Sequence, residues 1–203
     1  MGWLFTLLAR YDAATLRPPS PHALAALDAR QVHIGQALNE WCRRQPGPAF
    51  AVAHLNGMPG VGKTYLADAL CRDLDGSLGL DACPTIAARW RLKLRVKLAD
   101  CLGRRFQSSA HPWDCGFLRE TPVSLAALAR FTPRRATLIV ADALPAEQIQ
   151  TCIELLARRH PGFLYPVRLL VVGAMPPVVL PGVLRVELAA NTAKEAGCAA
   201  SSL

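Results

Sequence analysis

The stretch that most constrains this fold is residues 50–74, where an apolar run leads directly into a glycine-rich turn and an amphipathic segment. Residues 50–55 are short and apolar, which predicts a buried strand, and 57–62 are rich in glycine, which predicts a turn. Leucines recur at i, i+4 and i+8 over 64–74, which predicts a helix. A strand, a glycine turn and a helix in succession are typical of an α/β fold.

The rest of the chain continues the same alternation of apolar strands and amphipathic helices. Further strands are predicted over 136–141, 167–172 and 183–188, and helices over 23–44, 124–131 and 145–160. Residues 107–122 are interpreted as an irregular loop. Apolar strands that alternate with helices predict a mainly parallel sheet covered on both faces.

Residues 88–100 have a different pattern, in which apolar and basic residues alternate strictly. This period of two predicts a strand with one basic face, built from Arg91, Lys93, Arg95 and Lys97. An edge strand protected by its charges is the favoured interpretation, and a basic strip for nucleic acid is the alternative.

Composition narrows the function classes. The formal charge is +8, but it comes from nineteen Arg and only four Lys, so it indicates a compositional bias more than a polyanionic partner. The seven cysteines are scattered without a C-x-x-C pair, which favours a reducing, cytoplasmic compartment, and no apolar run is long enough for a transmembrane helix. We expect a lead and Pro-rich linker over 1–22, one domain over 23–190 and a flexible tail over 191–203.

The glycine turn matches the phosphate-binding pattern G-x-x-x-x-G-K-[ST]. Glycines let successive backbone N–H groups face an anion, and the following helix adds the positive end of its dipole. Lys63 is one of the four lysines, and its ammonium can reach the β- and γ-phosphates, while the Thr64 hydroxyl can bind Mg²⁺. The predicted nucleotide-binding residues are Gly57, Met58, Pro59, Gly60, Val61, Gly62, Lys63, Thr64 and Tyr65.

A second magnesium ligand is predicted at Asp142, because a carboxylate there directly follows four apolar residues of a predicted strand. Lys63 and Asp142 are therefore the predicted catalytic residues, and Thr64 and Asp142 the predicted metal ligands. His54 and Trp113 are interpreted as packing residues. The spacing of His111, Asp114 and Cys115 is not that of a standard metal site.

The sequence PAFAVAHLNGMPGVGKTYLADAL resembles the P-loop of the STAND class of NTPases, the NB-ARC and NACHT switch ATPases. ALAALDARQVHIGQALNEW is similar to the linker helix of that class, RATLIVADAL to its Walker-B strand and PVRLLVVGAMP to its next strand. The resemblance implies a three-layer P-loop NTPase core with an N-terminal linker helix, which binds ATP and Mg²⁺ and acts as a switch through a protein partner or self-assembly. It also implies a shortened member of the class, because the chain ends about where helical and winged-helix parts would begin.

Two departures from that class predict slow or partner-dependent hydrolysis. The acid that often follows the Walker-B Asp is replaced by Ala143, and Glu147 is the nearest acid. The 172–175 segment carries no polar group that could sense a γ-phosphate. Two alternatives stay open: an AAA+-type ATPase that acts on nucleic acid, and a nucleotide-binding scaffold that does not hydrolyse.

Overall fold

The fold is a mixed α/β arrangement in which six strands and four helices have bounds within the described part of the chain. The computed structural model describes residues 16–17, 27–44, 47–78, 85–87, 90–91, 94, 111–173 and 183–188. In chain order the elements are β1 (Leu16–Arg17), α1 (Ala29–Arg43), β2 (Phe50–Gly57), α2 (Lys63–Leu74), β3 (Asp114–Leu118), α3 (Pro122–Leu128), β4 (Thr137–Asp142), α4 (Ala146–Arg159) with a 3₁₀ turn (His160–Gly162), β5 (Val167–Val172) and β6 (Leu184–Leu188).

The six strands form one mostly parallel sheet in the order β1-β3-β4-β5-β2-β6. Only the two-residue β1 is antiparallel, to β3. The register pairs Leu55 of β2 with Val172 of β5, and Val172 with Asp142 of β4. The carboxyl ends of β2, β5 and β4 therefore lie level at one edge of the sheet.

Helices pack on both faces of the sheet, which explains why the central strands are continuous apolar runs. One buried cluster joins α1 and α2 to side chains such as Leu55, Leu138 and Leu170. The other joins α3 and α4 to the alternate side chains, such as Val52, Ile139 and Leu169. This arrangement is compatible with a three-layer α/β fold. No helix among the described residues is long and apolar enough to cross a membrane.

A buried arginine fixes the C-terminal end of α1 to the sheet. Arg168 of β5 is 2 % exposed, and burial lowers the pKa of its guanidinium. One guanidinium nitrogen donates to the Pro48 carbonyl at 2.9 Å, and the guanidinium lies 5.8 Å from the Trp41 ring centroid, within cation–π range. Nothing in the apolar pattern of 167–172 predicts that an arginine there is buried.

Most predicted elements are confirmed within a few residues. The strand predicted over 167–172 has those bounds in the structure, and the helix predicted over 64–74 begins one residue earlier. The helix predicted over 23–44 begins at Ala29, after the Asp28 cap, in the part of it that is described. The 1–15, 18–22 and 191–203 segments lie outside the described residues, and the boundaries assigned to the lead, domain and tail stay predictions.

The strand predicted over 88–100 is wrong for the residues that the structure describes there. Trp90, Arg91 and Leu94 are helical, as is Ile86 just before them. Ile86, Trp90 and Leu94 are four residues apart, so the same apolar positions also satisfy a helical period. Lys93, Arg95 and Lys97 lie outside the described residues.

The irregular loop predicted over 107–122 contains a buried strand, β3. Asp114 and Gly116 disfavour a strand on propensity, which is why the pattern was misleading. Asp114 is buried because its carboxylate pairs with Arg134 and Arg135 at 3.3 and 3.4 Å. Gly116 is needed because a Cβ there would lie 2.8 Å from that of Leu16 in β1. Long-range pairing thus overrides local propensity.

Candidate functional site

Three neighbouring strands end in sharp turns at one edge of the sheet. β2 ends at Gly57, β4 is followed by Ala143 and β5 by Gly173, and these residues have positive φ values of 150°, 55° and 99°. The connection after β2 enters α2 on one face, and the connection after β4 enters α4 on the other. In open α/β sheets, ligands bind at the carboxyl ends of strands where the connections that follow go to opposite faces of the sheet.

The turn between β2 and α2, residues 57–62, is named the glycine loop here. Gly60 and Gly62 adopt left-handed backbone with φ of 82° and 83°. Gly62 is the N-cap of α2 and has no side chain to cap the helix, whereas the start of α1 is capped by Asp28. The first turn of α2 therefore presents its N–H groups and dipole without a side-chain cap, as an anion site requires.

Lys63 folds back over the glycine loop. Its ammonium donates to the carbonyls of Gly57 and Met58, at 2.7 Å each. An ammonium has three donors, so this geometry holds the charge at the mouth of the loop and leaves a third N–H for an anion. The two loop carbonyls therefore position the Lys63 side chain.

The other predicted nucleotide-binding residues all belong to the same short segment. Met58, Pro59, Gly60 and Thr64 are exposed, and Met58 has 64 % of its surface open to solvent. Val61, Gly62 and Tyr65 are half-buried. The structure thus brings the residues from 57 to 65 together in one loop and helix start.

Asp142 ends β4 on the same sheet face as α2. Side chains alternate along a strand, and Leu138 and Val140 belong to the cluster that packs on α1 and α2, so Asp142 points to that face as well. β5 lies between β4 and β2, which places the two strands about 10 Å apart at ~4.8 Å per step. The half-buried carboxylate therefore shares an edge and a face with Thr64, across one intervening strand.

The position after Asp142 carries strain but no acid. Ala143 is exposed, and among the described residues it is the one non-glycine residue with a positive φ. Glu147 lies exposed in the first turn of α4, where its backbone carbonyl accepts a hydrogen bond from Thr151 at 2.8 Å. The helix dipole is enough to explain an acidic residue here, because negative side chains are stabilised in the first turn of a helix.

The remaining candidates lie in structural positions. Trp113 is buried in the core, which confirms its packing interpretation. His54 is half-buried, and its Nε2 lies 2.5 Å from the Gly173 carbonyl, at the ends of β2 and β5. Asp114 pairs with arginines, and Cys115 is a buried free thiol. In the described part of the chain, no group of three His, Cys, Asp or Glu residues is arranged to hold a metal ion.

Gln31 is a site residue that the sequence analysis missed. It lies in the first turn of α1, and its carboxamide donates to the Val61 carbonyl of the glycine loop at 3.2 Å. The spacing of Asp28 and Gln31 is a capping-box signal that could have located the start of α1. It carries no information about a contact thirty residues away.

Comparison with models of known protein families and with curated proteins finds no match for this chain. The assignment of a function therefore depends on the glycine loop and the strand ends around it.

Proposed function

We propose that this chain is an ATP-binding P-loop NTPase of switch type, with slow or partner-dependent hydrolysis. The observation that carries the proposal is the glycine loop: two left-handed glycines, a helix start without a side-chain cap, and the Lys63 ammonium held at 2.7 Å from two loop carbonyls. Backbone N–H groups, a helix dipole and an ammonium at one point are what a polyphosphate needs. Adenine is favoured over guanine because the sequence has no N/T-K-x-D segment.

Magnesium would be held by the Thr64 hydroxyl and the Asp142 carboxylate. Hard oxygen ligands of this kind suit Mg²⁺, which keeps several waters and takes one or two protein ligands beside the phosphates. The shared face and edge of these two residues support the proposal. The ion would neutralise phosphate charge, while Lys63 orients the terminal phosphates.

The residues next to Asp142 support slow ATP hydrolysis. A general base must lie within hydrogen-bond reach of the attacking water, directly or through one water. Ala143 supplies no carboxylate beside Asp142, and the position of Glu147 is explained by the helix start. The same observation favours a second candidate function, a scaffold that binds ATP and does not hydrolyse it. The nucleic-acid alternative stays open: Trp90, Arg91 and Leu94 are helical instead of forming the predicted strand, and Lys93, Arg95 and Lys97 lie outside the described residues.

The partner and compartment remain part of the proposal. A switch of this kind acts through a protein partner or a second copy of itself. The described cysteines, Cys42, Cys71, Cys115 and Cys152, are all free and buried, which fits a reducing compartment such as the cytoplasm.

The proposal is tested by the metal dependence of ATP binding and by phosphate release. ATP affinity of the purified protein is measured by calorimetry with Mg²⁺ and with EDTA, for wild type, Asp142→Asn and Glu147→Gln. We expect Asp142→Asn to weaken binding about tenfold in Mg²⁺ and to change it little in EDTA, because it removes a charged ligand of the ion. Glu147→Gln removes one negative charge from the start of the next helix and serves as the matched control.

The outcomes separate the candidates. Tight ATP binding with slow phosphate release supports a switch ATPase, and tight binding without release supports the scaffold. Equal affinities of wild type and Asp142→Asn in Mg²⁺ would remove Asp142 from the site, and no ATP binding by wild type would refute the proposal.

A further inference from the structure

A direct contact links the first turn of α1 to the glycine loop. The Gln31 carboxamide is used at both ends: its oxygen accepts from the Asp28 backbone N–H at 3.1 Å, and its nitrogen donates to the Val61 carbonyl at 3.2 Å. A reversed amide would set oxygen against the Val61 carbonyl and nitrogen against the Asp28 N–H. The hydrogen bonds therefore determine the orientation of the carboxamide.

This contact acts on one peptide of the glycine loop. A trans peptide is planar, so the Val61 carbonyl and the Gly62 N–H point in opposite directions. Gln31 holds the carbonyl toward α1 and thereby sets the N–H to face away from it. The fit is close, because a Cβ on Gly62 would lie 2.8 Å from the Gln31 amide nitrogen.

The two halves of α1 are held differently. In the C-terminal half, Leu38 and Cys42 are buried, and the Asn39 amide donates to the Asp73 carboxylate of α2. In the N-terminal half no residue is fully buried, although Ile34 packs against the core, and a groove of about 610 Å³ runs along both halves between α1 and α2. Residues 29, 30 and 32 of the first turn are exposed, so the hydrogen bond from Gln31 is a larger share of the contacts that hold this turn.

We propose that Gln31 is a positioning residue that sets the Val61–Gly62 peptide for the nucleotide phosphates and couples the first turn of α1 to nucleotide occupancy. This inference rests on the proposed function, since it assumes that the glycine loop binds phosphate. Coupling between sites is reciprocal: a contact that pre-sets the loop for ATP also makes bound ATP hold the start of α1 in place.

The test compares Gln31→Met with Asp28→Ala in the full chain. Each substitution removes one hydrogen bond of the capping box, but only Gln31→Met also removes the donor to the Val61 carbonyl, without adding charge. ATP·Mg²⁺ affinity is measured by calorimetry, and amide hydrogen exchange over residues 29–35 is followed with and without ATP. Melting temperatures show whether both variants fold alike.

We expect Gln31→Met to weaken ATP binding about five- to thirtyfold and Asp28→Ala to change it less than twofold. ATP should slow exchange over residues 29–35 in wild type and in Asp28→Ala, and this protection should disappear in Gln31→Met. If Gln31→Met does not fold, Gln31→Glu keeps the cap acceptor and removes the donor; because it also adds a negative charge that weakens ATP binding by itself, the hydrogen-exchange measurement at saturating ATP then decides.

Three results would overturn the inference. Wild-type affinity and ATP-induced protection in Gln31→Met would show that the contact does not position the loop, while the proposed function would stand. Equal weakening by both variants would assign the effect to the helix cap. Absence of ATP binding in wild type would refute the proposed function and this inference together.

Discussion

Gly57 and Gly60 both belong to the phosphate-binding pattern, but the structure predicts different costs for replacing them with alanine. A Cβ on Gly57 would lie 2.4 Å from the Leu188 carbonyl oxygen and 3.3 Å from the Leu188 carbonyl carbon, both backbone atoms of β6. No atom lies within 4 Å of the corresponding position on Gly60. Gly57 is therefore required by the pairing of β2 with β6, independently of any ligand.

The magnitudes follow from these contacts. Gly60→Ala forces a left-handed conformation on an alanine, which costs about 1–2 kcal/mol. Gly57→Ala incurs a comparable backbone cost at φ 150° and adds an overpacking cost of about 1–3 kcal/mol, because the clash is with backbone that cannot rotate away. We expect Gly57→Ala to lower the free energy of unfolding by about 2–5 kcal/mol, and Gly60→Ala by about 1–2 kcal/mol.

Urea unfolding followed by far-ultraviolet circular dichroism measures both values, without nucleotide, so that ligand effects do not enter. Equal losses in the two variants, or a larger loss in Gly60→Ala, would refute the assignment of Gly57 to the β2–β6 contact. A parallel check is hydrogen exchange in β6, which should increase in Gly57→Ala and stay at the wild-type rate in Gly60→Ala.

Two further predictions concern strain and pH. Ala143→Gly should raise the free energy of unfolding by about 0.5–1 kcal/mol, because it relieves the left-handed alanine at the cost of a more flexible unfolded chain; thermal unfolding checks the sign, and a lower melting temperature would contradict it. Burial raises the pKa of the Cys152 thiol from 9.0 to about 12. The contribution of this thiol to the free energy of unfolding is therefore fully present below pH 9 and is lost as pH rises toward 12, because the unfolded thiol ionises first. Urea titrations from pH 8 to 10.5 should show that the free energy of unfolding falls more steeply with pH in wild type than in Cys152→Ala. Above pH 9 the two slopes should differ by about 1.4 kcal/mol per pH unit, and identical slopes would contradict this.

The sequence predicted the parts of the fold that local patterns control. β5 is apolar along its whole length and all six residues are buried, so its bounds could be predicted from hydrophobicity alone. The glycine loop combines a turn signal with a helix signal, and both were found. Elements that depend on distant partners were not predictable: β3 contains Asp114 and Gly116, which make sense only beside Arg134 and Leu16.

The residues of the candidate site also fall into two groups, those that local sequence predicts and those that depend on distant contacts. The loop residues and Asp142 follow from motif and order, because consecutive parallel strands end at one edge of the sheet. Gln31 could not be found, since its hydrogen bond to Val61 depends on how α1 packs on α2. The apolar positions of 86–94 satisfy both a strand and a helix period, so local sequence could not decide between them.

The central claim, that the glycine loop binds nucleotide phosphates, is tested most directly by equilibrium ATP binding of Lys63→Met beside Arg72→Met. Each substitution removes one positive charge from α2, the first in its first turn, where the ammonium contacts the loop, and the second in its last turn. We predict that Lys63→Met weakens ATP binding about tenfold to a hundredfold, because it removes a charged donor to phosphate, while Arg72→Met stays within about twofold of wild type. Wild-type ATP affinity in Lys63→Met would contradict the account.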